Sequence, residues 1–153
     1  MLRLIATLLM LAVSCVSHAE PVLLGTWKSD KQRTLAFAQA RTKLEHKTFL
    51  FLEQIMGQMT LTISKDTITS RMPDVPIESA DGVKSNFVGS VESHPYKRLG
   101  GTQTEIAVLT KEPFTGRDSI VVHHFVDSDT MWIYVAGTAM PNLHIREYFV
   151  RVK

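Results

Sequence analysis

Apolar and polar residues alternate through most of the chain after its first third. Met59, Leu61 and Ile63, for example, alternate with threonine and serine, which is the period of a strand that buries one face. Lys65-Asp66 is a tight turn that leads into the next such segment. This period and the turn residues between segments predict strands at about 22–28, 59–64, 67–72, 84–92, 95–99, 103–110, 118–127, 130–136 and 144–152.

Two stretches depart from the strand period. Ser29 with Gln32, and Thr42 with Glu45, each have the spacing of a helix capping box. Pro73 to Val83 is rich in proline and holds a glycine, so a loop is expected there. The two capping boxes divide the first stretch into helices at about 30–41 and 43–56. A single bent helix is the competing interpretation of that stretch.

Short strands separated by turns are typical of a β-sandwich or a β-barrel. Because the predicted strands follow one another as hairpins, we predict a mainly β fold. It is an antiparallel up-and-down barrel of about 8–10 strands, with a helix pair after the first strand. The first and last strands should pair and close the sheet. Residues 20–153 are enough for one domain with a single core.

Residues 1–19 have the pattern of a secretory signal peptide. Arg3 is the basic start, Leu4 to Val13 is a hydrophobic segment in which Thr7 is the one polar residue, and Ser17-His18-Ala19 is a small-x-small cleavage site. The apolar run is too short to span a bilayer. We therefore expect cleavage after Ala19 and a periplasmic or secreted protein. Ala12 to Cys15 is a loose match to a lipoprotein cleavage site, so a lipid anchor on Cys15 is the alternative.

Cysteine content and charge narrow the function further. Cys15 is the only cysteine, so cleavage leaves a domain without disulfides, thiolate metal sites or cysteine chemistry. The chain holds 17 Lys and Arg against 15 Asp and Glu, without a block of like charge. Nucleic-acid binding would require a basic stripe, and the sequence has none. We expect a monomer with a small or apolar partner, or with none.

The two ends of the mature chain carry short motifs. The first strand reads Gly25-Thr26-Trp27-Lys28, a helix pair follows, and the last strand holds Arg146-Glu147-Tyr148. This order resembles the calycin superfamily, which contains the lipocalins and the intracellular fatty-acid-binding proteins. The resemblance implies a barrel plugged by Trp27, with Arg151 or Arg146 across its ring, and a helix pair over the mouth. The fatty-acid-binding branch is usually cytosolic and ten-stranded, whereas this chain has a leader and about nine predicted strands.

Arg146 and Tyr148 lie two residues apart and therefore share one face of their strand. Val150 and Val152 continue this face, so we expect it to look into the barrel. A buried guanidinium needs an anion, and a ligand carboxylate that Tyr148 also holds would supply one. The alternative is an outward face on which Arg146 pairs with an acidic neighbour, since Phe149 on the opposite face also favours burial.

Three further residues complete the predicted ligand site. Phe51 belongs to the most apolar part of the helix pair, and Trp132 and Tyr134 lie on the strand before the last. We expect an exported lipocalin-like protein that holds an amphipathic or fatty-acid-like anion in its barrel. The alternative is a filled barrel that acts through its surface, as an envelope-associated protein-interaction or inhibitor module.

Motifs for catalysis and metal binding are absent from the sequence. It contains no Gly-x-Ser-x-Gly elbow, HExxH, P-loop or paired-acid motif. His123 and His124 are adjacent, so on a strand they point to opposite faces and cannot chelate one ion together. We expect neither an enzyme nor a bound metal or other cofactor. An isomerase-like or haem-using calycin enzyme is the remaining functional class that the resemblance leaves open.

Overall fold

The structure is a computed structural model that describes residues 21–111, 116–135 and 144–153. The predicted leader, its cleavage site and Cys15 lie outside the described residues. No helix in the described part of the chain is long and apolar enough to cross a membrane.

Most elements lie within a few residues of their predicted bounds, and the two helices are separate. In chain order, the elements of the described residues are β1 (Gly25–Ser29), α1 (Lys31–Arg41), α2 (His46–Ile55), β2 (Thr60–Ile63), β3 (Thr67–Met72), β4 (Val75–Glu78), β5 (Lys84–Phe87), β6 (Ser90–Pro95), β7 (Lys97–Gly101), β8 (Glu105–Lys111), β9 (Asp118–Asp127), β10 (Thr130–Tyr134) and β11 (Arg146–Arg151).

Nine of these strands form one antiparallel sheet in the order β6-β3-β2-β1-β11-β10-β9-β8-β7. The sheet is an up-and-down meander, with the separate β4–β5 hairpin inserted between β3 and β6. β1 pairs with β11, and Trp27 lies opposite Arg151, which confirms that the first and last strands join. The fold is mainly β, a nearly closed barrel with a helix pair after its first strand, as predicted.

A single bent strand brings the two edges of this sheet together. β6 and β7 stand at opposite ends of the strand order, yet only Tyr96 separates them along the chain. In an antiparallel sheet of nine strands the first and ninth run in the same direction, so β7 continues the course of β6. β6 pairs with β3 and β7 with β8. At the seam the Thr110 hydroxyl donates to the Pro95 carbonyl at 3.2 Å.

The expectation of a loop from Pro73 to Val83 is wrong for part of this segment, because β4 lies within it and pairs with β5. The β4–β5 hairpin also contacts α2. The Gln54 side chain of this helix donates to the Glu78 carbonyl at 2.9 Å and accepts from the Glu78 N–H at 2.6 Å. Phe51 of α2 packs against Phe87 of β5, with ring centroids 6.2 Å apart. These contacts come from a distant helix, so the local sequence pattern does not contain them.

The start of α1 also differs from the predicted capping box of Ser29 and Gln32. Asp30 is the N-cap, and its carboxylate accepts a hydrogen bond from the Arg33 N–H at 3.0 Å. The Ser29 hydroxyl points into the barrel and donates to Glu147 at 2.6 Å. Adjacent residues at the end of a strand point to opposite sides, so only one of them can cap the helix.

Trp27 fills the base of the barrel and is fully buried. Its indole N–H donates to the Leu23 carbonyl at 2.9 Å. The Arg151 guanidinium lies 4.1 Å from the ring centroid, which is a cation–π contact. Arg151 also donates to the carbonyls of Val22 and Leu24 at 2.6 and 2.7 Å. Around the indole lies the main core of buried apolar residues: Leu23, Leu61, Ile63, Ile106, Val108, Phe125, Met131 and Phe149.

Gly25 is required by this arrangement. Its φ of 131° lies in the region that favours glycine. A Cβ at this position would lie 2.7 Å from Nη1 of Arg151. A side chain at position 25 would therefore displace the cation from Trp27.

α1 lies against the outer surface of β10 and β11. Thr34 accepts a hydrogen bond from the Tyr148 N–H at 3.0 Å, and Arg33 donates to the Thr130 hydroxyl at 2.9 Å. A second, smaller core joins α2 to the residue that precedes β11; its buried members are Leu52, Met56 and Ile145. Through its hydrogen bonds with Tyr148 and Thr130, α1 forms a wall beside the outer face of β11.

Truncating the buried indole should destabilise the barrel strongly. Trp27→Ala should lower the free energy of unfolding by about 3–5 kcal/mol, because it leaves a cavity at the base and removes the ring beneath Arg151. Urea denaturation measures the loss. Trp132→Ala is the matched control, since the other tryptophan lies outside the main core and should cost less. Equal losses in the two variants would contradict the role of Trp27 as a plug.

Candidate functional site on the outer face of the barrel

β11 turns Glu147 and Phe149 into the barrel, where they are 4% and 0% exposed. Arg146 and Tyr148 alternate with them and lie on the outer face, so the expectation that they look inward is wrong. Phe149 establishes which face of β11 is inward, because it pairs with Met131 and belongs to the main core. The wall formed by α1 shelters the other face, which lets Tyr148 lie outside the barrel without full exposure.

Arg146 occupies a slot between α1 and β10. Its guanidinium carbon lies 4.0 Å from the ring centroid of Trp132, 4.7 Å from that of Phe37 and 5.8 Å from that of Tyr134. These are cation–π distances. The Arg146 Nε is buried without a hydrogen-bond partner, and among the described residues no carboxylate forms an ion pair with this guanidinium. The slot thus holds a cation that rings enclose and that no charge on the described chain neutralises.

Trp132 carries a second ring on its other face. The His124 imidazole is nearly parallel to the indole, at 6° and 3.8 Å between centroids. Two groups that both lie within about 4 Å of one ring centre cannot share a face, so the imidazole and the guanidinium lie on opposite faces. Tyr134 meets the indole edge-on at 5.1 Å. In the strand register, Tyr148 lies opposite Trp132. We call this set the outer cluster: Phe37, His124, Trp132, Tyr134, Arg146 and Tyr148.

The outer cluster is open to solvent at one edge, since Tyr134 is 48% exposed. Apolar residues continue from it along the outer face of β8 and β9, in the paired positions Leu109 with Ile120 and Ala107 with Val122. Of these, Ile120 is 61% exposed. The outer face thus combines an apolar strip with a cation that no carboxylate of the described residues neutralises.

Four of the five predicted ligand residues meet in the outer cluster: Trp132, Tyr134, Arg146 and Tyr148. Phe51 does not, because it packs against Phe87 on the β4–β5 hairpin. The prediction of the site missed Phe37 and His124. Phe37 comes from a helix, and the place of His124 follows from the register of β9 against β10. Neither contact has a signal in the local sequence.

Two titratable residues lie inside the barrel, below the outer cluster. Burial raises the pKa of Glu147 to about 7, although its hydrogen bond from Ser29 acts in the opposite direction. Burial lowers the pKa of His123 to about 4, against a hydrogen bond with the Ile106 backbone. The His123 Nδ1 has no hydrogen-bond partner. Both side chains are therefore held largely in their neutral forms in the folded protein at weakly acidic pH.

No protein-family model, curated protein or solved structure matches this chain. The resemblance to the calycins therefore rests on the short motifs and on the order of elements. His123 is buried inside and His124 lies outside, on opposite faces of β9, as their adjacency predicts. In the described ranges, no group of three or more His, Cys, Asp or Glu side chains could hold a metal ion.

Glu147 and His123 should give opposite pH dependences of stability. The unfolded chain releases the Glu147 proton first, so the free energy of unfolding should fall as pH rises from about 4.5 to 7. The unfolded chain takes up the His123 proton first, so the free energy of unfolding should rise as pH rises from about 4 to 6.5. Each contribution is on the order of 3 kcal/mol. The two oppose each other between about pH 4.5 and 6.5.

Single substitutions should separate these contributions. Glu147→Gln should leave a free energy of unfolding that rises across the shared pH range, whereas His123→Leu should leave one that falls. Urea denaturation of wild type and both variants at a series of pH values measures the slopes. A Glu147→Gln slope equal to that of wild type would contradict the raised pKa of the buried carboxyl.

Proposed function

We propose that this protein is a binding module that acts through the outer face of its barrel, where Arg146 receives an acidic group of a protein partner. The observation that carries the proposal is the Arg146 guanidinium, which no carboxylate of the described residues neutralises and which lies 4.0 Å from the Trp132 ring centroid and 4.7 Å from that of Phe37. Stacking covers the faces of a guanidinium and leaves its N–H edge to bind a carboxylate. A partly desolvated cation is costly without an anion, and a partner's carboxylate would offset that cost.

The composition of the surface favours a protein over a small molecule inside the barrel. Arg, Trp and Tyr are the residue types that dominate the energetics of protein interfaces, and Arg146, Trp132 and Tyr134 meet here. The apolar strip of β8 and β9 extends the surface beyond the cation. The barrel interior behind this face is occupied by fully buried side chains such as Phe149 and Met131. We therefore propose a partner segment that carries Asp or Glu beside apolar residues.

The proposal includes export, on the strength of the leader pattern at residues 1–19, and hence a partner in the periplasm or outside the cell. It also includes a monomeric, non-enzymatic protein whose barrel is a scaffold. The calycin resemblance supports the scaffold. The ligand that the resemblance would imply, a fatty acid inside the barrel, has no support from Arg146, which faces away from the interior.

A peptide selection tests the proposed function. A phage-displayed library of random peptides selected on the purified protein should yield sequences with Asp or Glu next to apolar residues. Arg146→Leu should weaken a recovered peptide by about 1.5–3 kcal/mol, the range for a hydrogen bond to a charged group. Tyr148→Phe should lose less, because it keeps the ring. Fluorescence polarisation with labelled peptide measures both.

Arg71→Leu is the matched control, since Arg71 is exposed on β3, away from the outer cluster, and its removal changes the net charge equally. Equal peptide affinity in wild type and Arg146→Leu would contradict the role of Arg146. A selection without acidic peptides would contradict the partner class. A lipid retained in native mass spectrometry, and held equally well by Arg146→Leu, would support a carrier function of the interior instead.

A further inference from the structure

His124 is held in a defined orientation beside Trp132. Its Nδ1 lies 2.9 Å from Oε1 of Glu105, a residue of β8, and its ring lies flat on the indole. A carboxylate at Nδ1 accepts an N–H from that atom in either protonation state. The proton of Nε2 is then the one that titrates, so Nε2 changes from acceptor to donor when the ring becomes charged.

Trp132 therefore separates one permanent cation from one titratable group. Arg146 lies on one face of the indole and His124 on the other. Histidine is the side chain whose charge changes most readily between about pH 5 and 8. The imidazole and the guanidinium are thus separated by the thickness of the indole.

We infer that His124, oriented by Glu105, is a specificity-determining residue of the outer cluster and couples the binding of an anion at Arg146 to the uptake of a proton. This inference rests on the proposed function, because the anion is the acidic group of the proposed partner. Glu105 is a positioning residue, since it acts through His124.

Three elements present charged or titratable groups to His124. Glu105 of β8 places a carboxylate at its Nδ1, and Arg146 of β11 places a cation across the indole. Tyr134 of β10 meets the imidazole edge-on at 6.3 Å. On its own strand, the adjacent His123 points into the barrel and is largely neutral above about pH 4. The opposing cation is thus the group that a bound anion neutralises.

Linkage gives the direction of the effect. A carboxylate bound to Arg146 cancels the repulsion that Arg146 exerts on a protonated His124, so the bound state holds its proton more tightly. Reciprocally, a protonated His124 strengthens the binding of the carboxylate. Affinity for an acidic peptide should therefore increase as pH falls through the titration of His124, by about fivefold, the lower end of common coupling factors. A partner with a neutral group at this position should show no such change.

The coupling is measurable in the free protein. A protonated imidazole stacked on an indole quenches its emission more than a neutral one, so Trp132 fluorescence should step downward as pH falls. The difference between wild type and Trp132→Phe separates this signal from that of Trp27. His124→Gln should abolish the step, and Glu105→Gln should move it to lower pH.

Arg146→Gln provides the decisive comparison, because it mimics neutralisation by a bound anion. It should move the Trp132 step to higher pH, while the surface control Arg71→Gln should leave the step in place. A step that does not move in Arg146→Gln, or that persists in His124→Gln, would overturn the inference. This measurement requires no partner, so it stands whether or not the peptide selection succeeds.

The second arm uses an acidic peptide recovered by the selection. Its affinity should rise by about fivefold from pH 8 to pH 5.5 in wild type, and His124→Gln should remove that rise. The same pH dependence in both proteins would overturn the role of His124 and leave the proposed function intact. A selection that yields no acidic peptide would contradict the proposed function instead.

Discussion

The antiparallel pairing of β1 with β11 is the contact on which the rest of the structure depends. It places Trp27 opposite Arg151 in the register, so the cation of the last strand lies over the indole of the first. The same pairing brings Ser29 and Glu147 together inside the barrel. Once this register is set, alternation along β11 determines that Arg146 faces outward.

The outward position of Arg146 connects the helix pair to the candidate site. α1 begins directly after β1 and is tied to β11 through the Thr34 hydroxyl and the Tyr148 N–H. This contact brings Phe37 over the outer face of the sheet, where it forms one wall of the slot around the guanidinium. The resemblance to the calycins implies a helix pair over the mouth of the barrel. Here α1 instead covers the Arg146 cation on the outside of the barrel.

The interior and the outer cluster have opposite electrostatic characters. Inside, Glu147 and His123 are buried, and the cost of desolvation favours their neutral forms. Outside, the rings of Trp132 and Phe37 lie at cation–π distances from the Arg146 guanidinium. This contrast is the reason that the proposed anion site lies on the outer face and not in the interior.

The sequence by itself determined the secondary structure that depends on local period. β3 and β9 have their predicted bounds, and the helix pair and the closure of the barrel follow from the order of elements. The clustering of Trp132, Tyr134 and Arg146 was also predictable, because strands adjacent in a meander bring their side chains together. Tertiary structure alone decided which face of β11 is buried. Both faces of β11 carry apolar residues, so the alternation along this strand does not by itself show which face is buried. The packing of Phe149 in the core and of α1 on the opposite face determines it.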